Sequence, residues 1–186
     1  ASSDETARVW NASTGKQLTA LVGHKGEVKS AVFSPDGTAI LTASSDDTAR
    51  LWNAVTGKEI VAYVGHRGMV RSAAFNSAGT QVVTASRDKT ARVWDVPAGM
   101  EAAQYRHDVP VSSAAFSPDG TKVVTAASDH TARLWDVATN KEMARLVGHE
   151  GSVEWAVFNS TGTRIVTASR AKTALVGDVG THKGVK

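Results

Sequence analysis

The pentapeptide Thr-Ala-Arg-Val/Leu-Trp recurs at residues 6–10, 48–52, 90–94 and 131–135, which sets Trp10, Trp52, Trp94 and Trp135 at intervals of 42, 42 and 41 positions. A self-similar period of this length restricts the chain to architectures in which one supersecondary unit stacks on the next, since a single unit cannot bury an apolar face alone. A second marker keeps the register at Gly23-His24, Gly65-His66 and Gly148-His149, with Arg106-His107 in the third slot. Inside each period the chemistry is that of short strands. Val28 to Phe33, Val70 to Phe75, Val111 to Phe116 and Val153 to Phe158 alternate in character, and each runs into a turn that ends in glycine, as in Ser34-Pro35-Asp36-Gly37. β-Branched runs follow at Ile40-Leu41-Thr42, Val82-Val83-Thr84, Val123-Val124-Thr125 and Ile165-Val166-Thr167. The Trp segment supplies a third strand, and a turn such as Thr56-Gly57 introduces a fourth. No stretch holds a helical period, so the expected fold class is all-β, with one four-stranded antiparallel sheet per period.

Composition narrows the chemistry. The 186 residues suit a single domain, and 21 Lys+Arg against 18 Asp+Glu leave a net charge of +3, evenly interspersed, which argues for neither a nucleic-acid nor a membrane partner. The absence of cysteine removes disulfides, thiolate metal sites and cysteine nucleophiles, and permits a cytoplasmic setting. No apolar run approaches the roughly 18 residues that span a bilayer.

The ordered set GH, SPDG, S-x-D and TARLWD resembles the WD-repeat family over nearly the whole chain, in wording similar to bacterial repeats. The resemblance implies a β-propeller, with a hydrogen-bonded tetrad in each blade. Carried over by position, the tetrads are His24, Thr42, Asp46 and Trp52; His66, Thr84, Asp88 and Trp94; and His107, Thr125, Asp129 and Trp135. A buried indole N–H needs an acceptor, and a carboxylate can orient an imidazole, so the residue types suit internal stapling.

Repeated His, Asp and Thr also resemble the parts of a hydrolytic triad, but a catalytic site is one constellation in one environment, whereas this set recurs in every blade. No catalytic residues are expected, and the chain is read as non-enzymatic. The repeated His fall about 42 residues apart in different blades, without the short ligand spacings of metal motifs, and the glycines sit in hairpins and not ahead of a helix. Neither metal nor cofactor is therefore expected. His130 is read as a solvated turn residue, and His182 as outside the repeat. Arg8, Arg50, Arg92 and Arg133, each two residues before a Trp, are expected to pack their stems on a neighbouring blade and pair with a carboxylate.

Function is expected where the repeat loses its periodicity. By resemblance the binding rim consists of residues flanking the first-strand Val and preceding the tetrad Asp: Glu27, Lys29, Ser45, Met69, Arg71, Arg87, Pro110, Ser112, Ser128, Ser152, Glu154 and Arg170. A protein or peptide ligand on this propeller face makes the chain an interaction scaffold. The alternative expectation is a truncated or engineered self-assembling ring with no native ligand. Trp155 stands where other first strands carry Ser30, Ser72 and Ser113, and is expected to fill a gap between blades, the other reading being an aromatic anchor for a partner.

The organisation reads as a half blade at 1–22, full repeats at 23–64, 65–105 and 106–147, a half blade at 148–170 and a degenerate tail at 171–186. That tail carries Ala171, Leu175 and Gly177 at the Asp, Arg and Trp positions, while residues 1–22 keep Asp4 and Trp10. The expectation is a homodimer by strand exchange, with composite blades of His149 and Thr167 from one chain and Asp4 and Trp10 from the other. About four blades per chain would then close an eight-bladed ring.

Overall fold

The computed structural model describes residues 1–180 and 184–185, and among these every regular element is a strand. The first sheet pairs β1 (Thr6–Trp10) with β2 (Gln17–Val22). Three full antiparallel sheets follow: β3 (Val28–Phe33), β4 (Ala39–Ser44), β5 (Ala49–Asn53) and β6 (Glu59–Tyr63); β7 (Val70–Phe75), β8 (Gln81–Ser86), β9 (Thr90–Asp95) and β10 (Glu101–Arg106); β11 (Val111–Phe116), β12 (Lys122–Ala127), β13 (Ala132–Asp136) and β14 (Glu142–Leu146). The last sheet contains β15 (Val153–Phe158), β16 (Arg164–Ser169), β17 (Ala174–Asp178) and β18 (Gly184–Val185). Each strand pairs with its sequence neighbour, as consecutive hairpins require.

The tail departs from expectation. Residues 174–178 form a third strand, with Val166 opposite Val176 and Ala168 opposite Ala174, the register that Val124–Leu134 and Ala126–Ala132 keep one sheet earlier. Backbone pairing and the apolar Leu175 and Val176 suffice to hold the strand without Trp or Arg. In the single chain β17 thus takes the place expected for a partner's β1.

Neighbouring sheets pack through apolar faces of fixed composition. Val83 and Val93, opposite each other on one sheet, meet Phe116, Val123 and Trp135 of the next in a shared buried cluster. Leu41 and Leu51 meet Ala73, Val82 and Trp94 in the same way.

Within a sheet, side chains staple the strands together. His24 Nδ1 lies 2.8 Å from Asp46 Oδ2 and its Nε2 2.7 Å from Thr42 Oγ1, while Trp52 Nε1 donates to that same hydroxyl at 2.8 Å. Burial pushes the His24 imidazole below its ordinary 6.5, so the ring is neutral, and facing a carboxylate it carries its proton on Nδ1. Nε2 then accepts from the Thr42 hydroxyl, which accepts from the indole, and every polar atom of the relay has a partner. Burial also pushes the Asp46 carboxyl up, but hydrogen bonds from Thr48, the Lys25 amide and His24 outweigh it and hold the group at about 2. The second full sheet repeats this with His66–Asp88 at 2.8 Å, His66–Thr84 at 2.7 Å and Trp94–Thr84 at 2.9 Å.

The third relay is broken. His107 reaches Thr125 at 3.0 Å and Trp135 donates to Thr125 at 2.9 Å, but His107 Nδ1 is buried without a partner among the described residues. Asp129 turns instead to Arg133 Nη2 at 2.8 Å. The cause is one deletion: His66 stands 14 positions after Trp52, whereas His107 stands 13 after Trp94, and the glycine of the Gly-His pair is what is missing. At Gly65 an added Cβ would lie 3.0 Å from Arg92 Nη1 and 3.1 Å from Trp94 Cη2, so this loop needs a residue without a side chain to bring its His onto the Asp. Burial, and then Arg133, push the unpartnered His107 down to about 4.

The expected composite tetrad is split within one chain. Asp4 pairs with Arg8 at 2.8 Å, and Trp10 is 54% exposed. His149 meets Thr167 at 2.8 Å and, with Ala171 at the Asp position, turns its Nδ1 to Thr173 at 2.9 Å.

Removing a fully buried ring and its hydrogen bond makes Trp94→Ala cost about 3–5 kcal/mol, whereas Trp10→Ala in the unpaired single chain, where that ring is 54% exposed, costs under about 1 kcal/mol. Denaturant midpoints measure both, and a Trp94→Ala midpoint equal to that of the parent would remove the indole from its stapling role.

Candidate functional site

The first strands β3, β7, β11 and β15 each begin with a fully or almost fully buried Val: Val28, Val70, Val111 and Val153. One residue later each carries the same irregularity, the register slipping between Val28 and Ser30, Val70 and Ser72, Val111 and Ser113, and Val153 and Trp155. Lys29, Arg71, Ser112 and Glu154 are therefore bulge residues, left out of the ladder and free to aim their side chains away from it. The remaining rim positions are tied to this end of the sheet by main-chain bonds: Ser45 to Glu27, Arg87 to Met69, Ser128 to Pro110 and Arg170 to Ser152, at 2.9–3.1 Å. All twelve residues expected at the rim are thus assembled at one end of the four sheets. The bulges themselves carry no sequence signal, because the strands alternate smoothly through them.

The bulge side chains differ from sheet to sheet. Lys29 pairs with Glu27 of its own sheet. Arg71 reaches across to the fourth sheet, where its Nη2 donates to Glu154 Oε2 at 3.0 Å, and Glu154 Oε1 accepts from Arg170 Nε at 2.9 Å. Arg87 is exposed and makes no ion pair among the described residues. One rim expectation is corrected: Ser112 is 4% exposed and does not present its hydroxyl to solvent. It occupies the bulge position on β11, the strand that packs between those carrying Arg71 and Glu154. Ser128 donates to the Pro110 carbonyl at 3.3 Å, and Ser152 approaches the Ser128 carbonyl at 3.5 Å, joining the third and fourth sheets.

The repeated arginines pair with carboxylates, Arg50 with Glu59 and Arg92 with Glu101 at 2.7 Å, and Arg92 lies 6.0 Å from the ring of Trp94 on its own sheet. Trp155 fills no gap between sheets, being 56% exposed on the open face of the last one. His130 sits exposed in the hairpin turn at φ 69°, and His182 lies outside the described residues.

A family model for the WD domain, G-beta repeat, matches residues 15–53, 57–95, 101–136 and 140–176. Among curated proteins none matches the chain. Each matched stretch begins at or just before the fourth strand of one sheet and ends with the third strand of the next, so each unit interlocks with its neighbour. The last match runs into β17, giving that strand the family's third-strand position although Asp and Trp are gone. Repeat length and sheet order agree with these four matches and the His–Thr–Trp staples with the first three, and the chain belongs to the WD-repeat family.

Proposed function

We propose that this chain is a non-enzymatic interaction scaffold that binds a protein or peptide at the rim formed by the bulge residues. WD repeats generally mediate protein–protein interaction scaffolding. The observation that carries the reading is the contrast between stapled sheets and an aperiodic rim: the positions that repeat are buried in the relays, and those that vary are gathered at one end, half of them charged. Charges at such a rim steer encounter more than they hold the fold. Peptides panned from a random display library against the immobilised chain should lose about tenfold or more in affinity when Arg71 and Arg87 are both changed to Glu, with weaker salt dependence and unchanged melting. Peptides that bind parent and double variant alike would move the site to another face.

A second reading concerns assembly. Phe33 is 57% exposed, while Phe116, its counterpart two sheets on, is buried against Val83 and Val93. The counterpart of Val83, Val166, is 41% exposed beside Trp155, and in the exchange the place of Val93 falls to Val9 of the incoming strand. The two open faces are the two halves of one interface that recurs inside the chain, and we propose that a second copy joins them. Residues 1–22 displace β17, setting Trp10 toward Thr167 and Asp4 toward His149, and two chains close an eight-bladed ring. Light scattering should then give a dimer for the full chain and a loss of the dimer on deletion of residues 1–22. A monodisperse full-length monomer would overturn the assembly, and a well-folded dimer surviving the deletion would overturn the exchange.

A further inference from the structure

The carboxylate of Glu154 is held between two arginines drawn from different sheets, Arg71 at 3.0 Å and Arg170 at 2.9 Å. Arg71 and Glu154 are 83 residues apart in sequence, and between their strands lies β11 with the small Ser112 at the matching bulge position. The Ser112 hydroxyl is buried and has no hydrogen-bond partner among the described residues. Arg87 occupies in the second sheet the place that Arg170 occupies in the fourth, tied to the strand start by the same main-chain bond, and pairs with no carboxylate among the described residues. Two guanidinium groups from different sheets therefore hold a single carboxylate supplied by the chain itself, and a third, that of Arg87, stands at the same rim.

We propose that Glu154 is an internal stand-in for a carboxylate of an acidic peptide, and that such a peptide binds by displacing it from Arg71 and Arg170. This rests on the rim reading above and names the class of partner. The guanidinium fork matches a carboxylate in geometry as well as charge. Partly exposed ion pairs contribute little net free energy, so the Glu154 side chain exchanges readily with an incoming group of the same chemistry. Displacement of Glu154 frees the guanidinium groups of Arg71 and Arg170 for the ligand carboxylate, and Arg87 engages a second acidic residue of the ligand. The rim residues include no aromatic on which a nucleic-acid base would stack, which favours a peptide over a single-stranded nucleic acid.

The test uses the full chain and labelled hexaglutamate as probe, with inorganic phosphate, hexalysine and oligouridylate as comparison ligands, titrated at low salt. Glu154→Gln should bind hexaglutamate about tenfold or more tightly than the parent, because the competing carboxylate is gone. Glu27→Gln makes the same change in net charge at the same rim, and should give a much smaller gain. Adding Arg71→Gln and Arg170→Gln to Glu154→Gln should abolish the gain at unchanged melting temperature. The proposal is overturned if Glu154→Gln and Glu27→Gln bind alike, if phosphate alone shows the same gain, or if oligouridylate gains and hexaglutamate does not. Failure here while the panned peptides still depend on Arg71 and Arg87 would leave the rim as the docking surface and remove only the stand-in.

Discussion

A threonine hydroxyl shared between an indole and an imidazole is the interaction on which the other features of this molecule depend. In the first two full sheets it joins the second strand to the third through Trp, and to the preceding loop through His and Asp. An oxygen buried this deeply is costly to leave unpaired, so the relay selects one arrangement of strands and loop over its neighbours in register. The third sheet shows how finely the relay depends on the backbone. Loss of a single glycine leaves His–Thr–Trp intact and detaches Asp129, which Arg133 then takes.

That internal rigidity is what frees the rim to vary. Because the relays and the apolar faces fix each sheet without help from the bulge residues, Lys29, Arg71, Ser112 and Glu154 differ without loss of the fold. A bulge in each first strand turns the same backbone position toward the rim, and the identity of the residue there decides the chemistry. In the second and fourth sheets this yields a charged bridge that spans the third, and the rim is therefore a joint product of several repeats.

The repeat made the sheets and their staples legible before any coordinates. Thr42, Thr84 and Thr125, with their His and Trp partners, follow from the resemblance to WD repeats, and the needs of a buried indole suit them. The strand at 174–178 was not legible, because its signature side chains are absent and its pairing rests on backbone and small apolar residues. The meeting of Arg71 with Glu154 was equally hidden: which long side chains touch across 83 residues depends on how the sheets pack together around β11. Detachment of Asp129 could have been suspected from the 41-residue interval, since the residue lost is the glycine that lets the loop approach the Trp.

Nitrogen-resolved NMR of the imidazoles through an acid titration tests the relay most directly, since it reports both the tautomer and the titration of each ring. The structure requires neutral rings with the proton on Nδ1 at His24 and His66, both resisting protonation below the ordinary value of 6.5, and titration of His107 near about 4. Protonation on Nε2 at His24 and His66, or titration of these rings at or above 6.5, would contradict it.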